Sequence, residues 1–334
     1  LPPKPKDEEL TLKILTGDIG GTNTRLAVFD TETGQLQPSS LTVYGSNNCS
    51  SLDEVVAHYI SRLGGGCEYA CFGIAGPIKD RRCKTTNLPW QVSAADIEHG
   101  LRIKKVWLIN DLEAVAWGIP ALADDAFCTL QPGTPEQQGN QCIIAAGTGL
   151  GEAGITRQSD GLPLPFATEG GHADFAPRTA LEFALFEFLA QHLGHVSWER
   201  LLSGSGLVNI YHFLLQHRQH SSTLELDFDH PAATVSEAAL DHSCPICVEA
   251  LDLFIRLYGA EAGNLALKQK ATGGVFIGGG IASKILPKLQ EGSFLQAFSD
   301  KGRMEPLLQS MPVKVILNDQ VALLGPGRYG MSRL

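Results

Sequence analysis

The side chains of this chain best suited to chemistry stand where apolar runs end. "LIND" carries an apolar segment straight into Asn110 and Asp111. A carboxylate at the carboxyl end of a strand in an open α/β sheet points toward the usual ligand crevice. The same place also suits an N-cap for the following "LEAVAWGI", and the two roles can coexist on different atoms. "EGGHADF" sets Glu169 and His172 around a glycine pair that reads as flexible, an arrangement suited to a ligand. A structural histidine is the alternative. Glu199, in "HVSWERLLSG", reads from spacing alone as a helix-face charge.

Three glycine-rich turns supply a different chemistry. "TGDIGGTNTRLAVFD" contains Gly20, Gly21, Thr22 and Asn23. "IIAAGTGLGEAGI" contains Gly147, Thr148 and Gly149, and "GGVFIGGGIAS" contains Gly278, Gly279 and Gly280. Glycine tolerates φ > 0 and close approach, so backbone N–H groups can converge into a nest for phosphate oxygens. Threonine and asparagine side chains add donors. A structural turn explains any one of these clusters; three together favour a nucleotide. No Lys or Arg lies within residues 17–24 or 145–151. Phosphate charge therefore calls for Mg²⁺, with Asp18 as a hard-oxygen contact, directly or through water. An Asx-turn is the other reading of Asp18.

Elements that could position these residues are legible. "LKILTGD" and "TRLAVFD" read as adjacent strands, and "IIAAGTGLGEAGI" repeats the same strand–turn–strand logic. Residues 51–64 have helical periodicity with a capping serine and a closing glycine. "SAADIEHGL" opens with a capping-box-like Ser93 and Asp96. Strands and helices alternate, so the class is α/β. After about Arg178 helical periodicity dominates, which predicts a second, more helical lobe. No linker or low-complexity segment separates the halves.

Composition narrows the partners. The 334 residues carry a formal net charge of −10, which argues against nucleic acid or an anionic membrane. No run approaches the roughly 20 apolar residues of a membrane span. "LPPKPKDEELTLK" has no apolar signal core, so no secretory peptide is expected. The eight cysteines are expected to be reduced. Cys244-Pro-Ile-Cys247 has metal or redox spacing, but a helix start is the plainer reading. Ser332-Arg333-Leu334 resembles a peroxisomal address, so cytoplasmic and glycosomal-type locations stand about level.

"GDIGGTNTRLAVFD", "TNLPW", "LINDLEAVAWGIP", "AAGTGLG", "EGGHADFAP", "GHVSWERLLSGSGLVNIY" and "GGVFIGGGI" closely resemble the bacterial-type glucokinases of the hexokinase/actin/Hsp70-like ATPase superfamily. The likeness runs from about Ile14 to Gly325 in the same order. It implies a two-lobed ribonuclease H-like/actin-like ATPase fold with a cleft. The small α/β lobe would span 11–121 plus 318–334, and the larger, more helical lobe 122–317. It implies glucose and ATP with Mg²⁺ as partners, and a homodimer. Asp111 matches the family's catalytic base. Asn110, Glu169, His172 and Glu199 match its sugar-hydroxyl contacts, and Asn87 lies where the small lobe approaches the sugar. The turn at 20–23 matches the first phosphate loop, Gly147-Thr148-Gly149 the second, and Gly278-Gly279-Gly280 the adenosine segment.

Related repressor/ORF/kinase sugar kinases carry a zinc-binding cysteine cluster after the histidine. Here "ADFAPRTALEFALFEF" has no cysteine, so no structural zinc is expected. Nor is there an N-terminal helix-turn-helix segment, which disfavours a repressor. Kinase action on another hexose, and an actin- or Hsp70-type nucleotide switch, are the rival functions.

Overall fold

The opening apolar run is a strand, and the glycine turn after it reverses the chain. β1 (Lys13–Ile19) and β2 (Asn23–Asp30) pair antiparallel, with Asp18 opposite Arg25. The structure, a computed structural model, describes residues 12–64, 67–86, 88–158, 161–220 and 224–334. It divides into two units, one running up to Leu122 and resuming over Gln320–Leu334, the other spanning Ala123–Asp319.

In the first unit the chain continues through β3 (Gln35–Leu36), β4 (Thr42–Gly45), α1 (Leu52–Leu63) and β5 (Tyr69–Ile74). A small sheet of β6 (Ile78–Lys79), β7 (Arg82–Lys84) and β8 (Gln91–Ser93) follows. Then come α2 (Ala94–Leu101), β9 (Lys105–Asn110) and α3 (Asp111–Gly118). The main sheet has the order β3-β2-β1-β5-β9, with β4 on β2. β1, β5 and β9 are parallel and in step: Ile74 pairs with both Ile19 and Asn110. That register brings Asp18 and Asn110 to the same sheet edge, two strand spacings, or about 10 Å, apart. Both anticipated helix caps are present. Ser51 Oγ accepts from Glu54 N at 3.2 Å, and Gly64 closes α1 at φ 67. Ser93 Oγ accepts from Asp96 N at 3.3 Å.

The second unit contains β10 (Phe127–Gln131), β11 (Gln141–Ala146), β12 (Leu150–Arg157), β13 (Pro163–Thr168), α4 (Ala180–Leu193), α5 (Gly204–His217), α6 (Pro231–Leu240) and α7 (Pro245–Gln269). It continues with β14 (Gly274–Gly278), α8 (Gly279–Lys284), α9 (Leu286–Gln290), α10 (Ser293–Ser299), α11 (Glu305–Ser310) and β15 (Val313–Ile316). Its sheet runs β10-β15-β14-β11-β12-β13. α7 is buried on most of its circumference, as a helix apolar all round must be. Cys244 caps its start and Cys247 lies in its first turn; both are buried and neither is in a disulfide.

The chain then returns to the first unit as α12 (Val321–Met331), which packs on α3 and on β1 and β5. The contact is close: a Cβ at Gly325 would collide with Ala114 O, and one at Gly327 with the Phe29 ring. Ser332, Arg333 and Leu334 carry on the helical turn through N–H bonds to Arg328, Gly330 and Met331 carbonyls. The Arg333 guanidinium lies over the Tyr329 ring at 4.9 Å. Among the described residues, no helix is long and apolar enough to cross a membrane.

Candidate active site

In the first unit the site residues hang from the ends of β1 and β9. Asn110 is the residue that caps α3: its Oδ1 accepts from Leu112 N at 2.9 Å and Glu113 N at 3.3 Å. Its Nδ2 is thereby left to serve a ligand. Asp111 is the first helical residue instead, and its own Oδ1 also accepts from Leu112 N, at 2.9 Å. The β7 strand runs nearby. Burial, and then the negative charge of Asp111, push the Cys83 thiol up to about 11. Asn87, between β7 and β8, lies outside the described residues. The segment around it is pinned by Thr85 Oγ1, which donates to Leu88 O at 2.8 Å, and by Thr86 N, which donates to Ala75 O at 3.3 Å.

The first glycine turn is braced from below by Ser46. Ser46 N donates to Thr22 O at 2.9 Å and Ser46 Oγ to Gly20 O at 2.8 Å, while its hydroxyl also meets Thr24 Oγ1 at 2.9 Å. The carbonyls are thus turned inward. The amides of Gly21 and Thr22 make no hydrogen bond among the described residues, and the Thr22 and Asn23 side chains are exposed. The turn has a cation after all. Arg25, just past the 17–24 window, reaches back across the ladder. Its Nε and Nη2 donate to Asp18 Oδ2 at 3.0 and 2.8 Å. That guanidinium is already paired with the Asp18 carboxylate.

In the second unit the candidate residues gather around β12. Gly147 N donates to Gly149 O at 2.8 Å, Gly204 N donates to Gly147 O at 2.9 Å, and Thr148 is exposed. The amides of Thr148 and Gly149 make no hydrogen bond among the described residues. Glu199 is no mere helix-face charge: its Oε2 accepts from Leu150 N at 3.0 Å. A Cβ on Gly149 would stand 2.5 Å from that oxygen. Neither Gly20, Gly147 nor Gly149 adopts a positive φ, so the reason for glycine is close approach at Gly149 and not left-handed backbone there. Gly279 is different. It has φ 86 and its Cβ position is filled by Ala146 O, which sets residues 278–280 against the end of β11. Tyr258, from α7, ties the two strands: its hydroxyl accepts from Ala146 N at 3.2 Å and lies 3.3 Å from Ile144 O and Gly278 O.

The Glu169–His172 loop is stitched to the same place. Asp174 and Ser197 form a β-bridge, Trp198 N donates to Ala173 O at 3.0 Å, and Phe175 N to Val196 O at 3.0 Å. Glu169 and His172 are more than half exposed, their Oε2 and Nε2 3.9 Å apart. The glycine pair between them is not a hinge, because its Cβ positions are occupied by Glu152 Oε2 and Leu150 O. Glycine is required here by packing. Glu169, His172, Glu199 and the 147–149 turn therefore form one constellation with Gly278–Gly280 beside it. Sequence reasoning missed Arg25, Ser46, Tyr258 and Glu152. The charge in the middle of the apolar strand "LGEAGI" was the only local signal for Glu152. Among the described residues, no three His, Cys, Asp or Glu side chains gather as metal ligands.

Comparison with known proteins now bears on this geometry. A family model described as Glucokinase matches residues 15–332. A glucokinase from Synechocystis sp. is 40% identical over 348 residues, covering 94% of this chain and 96% of that protein. A crystallised glucokinase from an Antarctic psychrotroph is 31% identical, with a TM-score of 0.82, covering 96% of this chain and 99% of the other. A glucokinase from Balamuthia mandrillaris, solved in complex with glucose, shares the fold with a TM-score of 0.82 at 22% identity, covering 97% and 95%. The two α/β units have the two-lobed actin-like ATPase fold, and the chain belongs to the glucokinase family.

Proposed function

We propose that this glucokinase transfers the γ-phosphoryl group of ATP to the 6-hydroxyl of glucose, with Asp111 as the base. A sugar hydroxyl is a poor nucleophile at neutral pH. A carboxylate accepting its proton as the P–O bond forms contributes about 10²–10⁴ in rate. The rest comes from alignment and from neutralising charge on the moving group. In this reading Asn110 (through Nδ2), Glu169, His172 and Glu199 serve the sugar hydroxyls, the amides of Gly21, Thr22, Thr148 and Gly149 serve phosphate, and Gly278–Gly280 serve the adenosine. Asn87 belongs to the sugar contacts in this reading.

Mg²⁺ would come with ATP and neutralise phosphate charge. Asp18 would hold it, and because Asp18 Oδ2 is committed to Arg25, contact through metal-bound water fits better than direct ligation. Carboxylates and a histidine that bond ring hydroxyls also discriminate between epimers. An epimer leaves a buried polar group unpaired at a cost of about 1–3 kcal/mol.

The observation that carries this reading is the bond from Leu150 N to Glu199 Oε2, which makes a sugar contact and a phosphate turn parts of one construction. A coupled kinase assay with ATP, Mg²⁺ and a panel of hexoses tests it. Glucose is expected to give the highest kcat/KM. ATP turnover that ignores sugar would point instead to a nucleotide switch, and a better rate with another hexose would reassign the substrate. A homodimer is also part of the reading, and light scattering at assay concentrations checks it.

A further inference from the structure

Beneath the Glu169–His172 loop two carboxyl groups face each other out of water. Glu152 stands in β12 and Glu261 in α7, with only 2% and 0% of their surfaces exposed. Few charged or titratable groups surround them. From α7 come Lys268, whose Nζ is 3.6 Å from Glu261 Oε1, and the Tyr258 hydroxyl. β11 presents the buried Cys142 thiol. The segment after α10 presents Lys301, bonded to Asn264 Oδ1 at 2.7 Å and Ala260 O at 2.9 Å, with Arg178 and Asp300 behind it. Asn264 Nδ2 in turn donates to Glu261 Oε2 at 2.8 Å.

The Oε1 atoms of Glu152 and Glu261 receive no hydrogen bond from any described residue. Burial and their mutual repulsion oppose ionising both of these facing carboxyls, and the proton belongs to the pair. Burial first, and the facing Glu261 second, raise Glu152 to about 8. Burial also raises Glu261, against the opposing pull of Asn264, Lys268 and Lys301.

Gly170 connects this pair to the site. A methyl group there would strike Glu152 Oε2, so the carboxyl is the floor on which the loop rests. Thr168 Oγ1 reinforces the contact, donating to Glu152 O at 2.9 Å and accepting from Gly170 N at 3.3 Å. Glu169 and His172 flank that floor.

We propose that Glu152 and Glu261 are a positioning pair for the sugar-binding loop: one shared proton holds Glu152 in place under Gly170, and its loss drives the carboxyls apart and displaces Glu169 and His172. This rests on the reading of Glu169 and His172 as sugar contacts. The folded pair keeps a proton that ordinary unfolded carboxyls release near pH 4.5. Its stabilising contribution is therefore complete below that pH and is lost as pH rises through the folded value.

The test is the glucose KM, with kcat, of the wild-type enzyme, Glu261→Gln and Glu152→Gln between about pH 6.5 and about pH 9. A glutamine amide donates permanently to the remaining carboxylate and imitates the protonated pair. The wild-type glucose KM is expected to rise about five- to tenfold across that range, with kcat at saturating glucose changing less than about twofold. The glutamine variants are expected to stay flat. A flat wild-type KM, or the same rise in Glu261→Gln, overturns the proposal. Hydrogen exchange of residues 168–173, corrected for intrinsic rate, reads the loop without sugar and does not require either variant to fold. Protection lost above about pH 8 in the wild type supports the proposal, and unchanged protection overturns it. Glu169→Ala separates the two failures, because an unchanged glucose KM at neutral pH removes the sugar-contact reading whatever the exchange data show.

Discussion

The two glycine–threonine turns share a sequence logic and differ in what stands behind them. Behind residues 20–23 lies the Asp18–Arg25 ion pair, a cation and an anion on adjacent strands. Behind residues 147–149 lies Glu199, an anion that grips Leu150 N and fills the space a side chain at 149 would need. The first turn thus has a guanidinium near its amides, whereas the second places its amides beside a carboxylate. A turn's composition tells how its backbone can bend; its electrostatics come from neighbours, and Glu199 is 49 residues from the amide it holds.

Removing the carboxylate proposed as the base tests the proposed reaction most directly. Asp111→Ala is expected to lower kcat about 10²–10⁴-fold in a coupled assay while KM for ATP moves little. Turnover within about tenfold of wild type would take the role from Asp111. Next in size is Gly149→Ala, whose methyl would displace Glu199. KM is expected to rise about tenfold or more for glucose and ATP together, and a change in only one would uncouple turn from sugar contact. Glu199→Ala against Glu199→Gln sharpens the same point. Alanine leaves Leu150 N unpaired at about 1–3 kcal/mol, while glutamine still accepts from it. Only alanine is expected to raise the KM for ATP.

Arg25→Ala probes the other turn. The pair is part-exposed, so a loss of at most about 1 kcal/mol in ATP affinity is expected, shrinking with added salt. Smallest of all is Gly147→Ala, since nothing stands within 4 Å of its Cβ position; less than a twofold change in any constant is expected. A large effect there would mean that phosphate approaches the backbone at that residue.

Much of this arrangement was legible beforehand because it is local. The strand ending in Asn110-Asp111, the hairpins at 20–23 and 147–149, and the Ser51 and Ser93 caps follow from period-two and helical spacing and from side chains bonding their own backbone. Glu199 could not be read this way, because its partner amide comes from another element. Arg25 lies outside the glycine turn in sequence, and only the antiparallel ladder sets residue 25 opposite residue 18. Glycine was rightly noticed at 170 and 171 and wrongly taken for flexibility, since only packing reveals that Glu152 and Leu150 fill the missing side-chain space. Gly325-Pro326-Gly327 lies within α12, where the glycines admit Ala114 and Phe29.

The sequence by itself determined the strands, the turns, the capped helix starts and the family, because each depends on neighbours along the chain or on motifs in order. Tertiary structure alone decided which carboxylate supports the 147–149 turn, which arginine backs the 20–23 turn, and that Glu152 and Glu261 meet under the Glu169–His172 loop. Burial and charge act across space, between residues whose separation along the chain carries no mark of their contact.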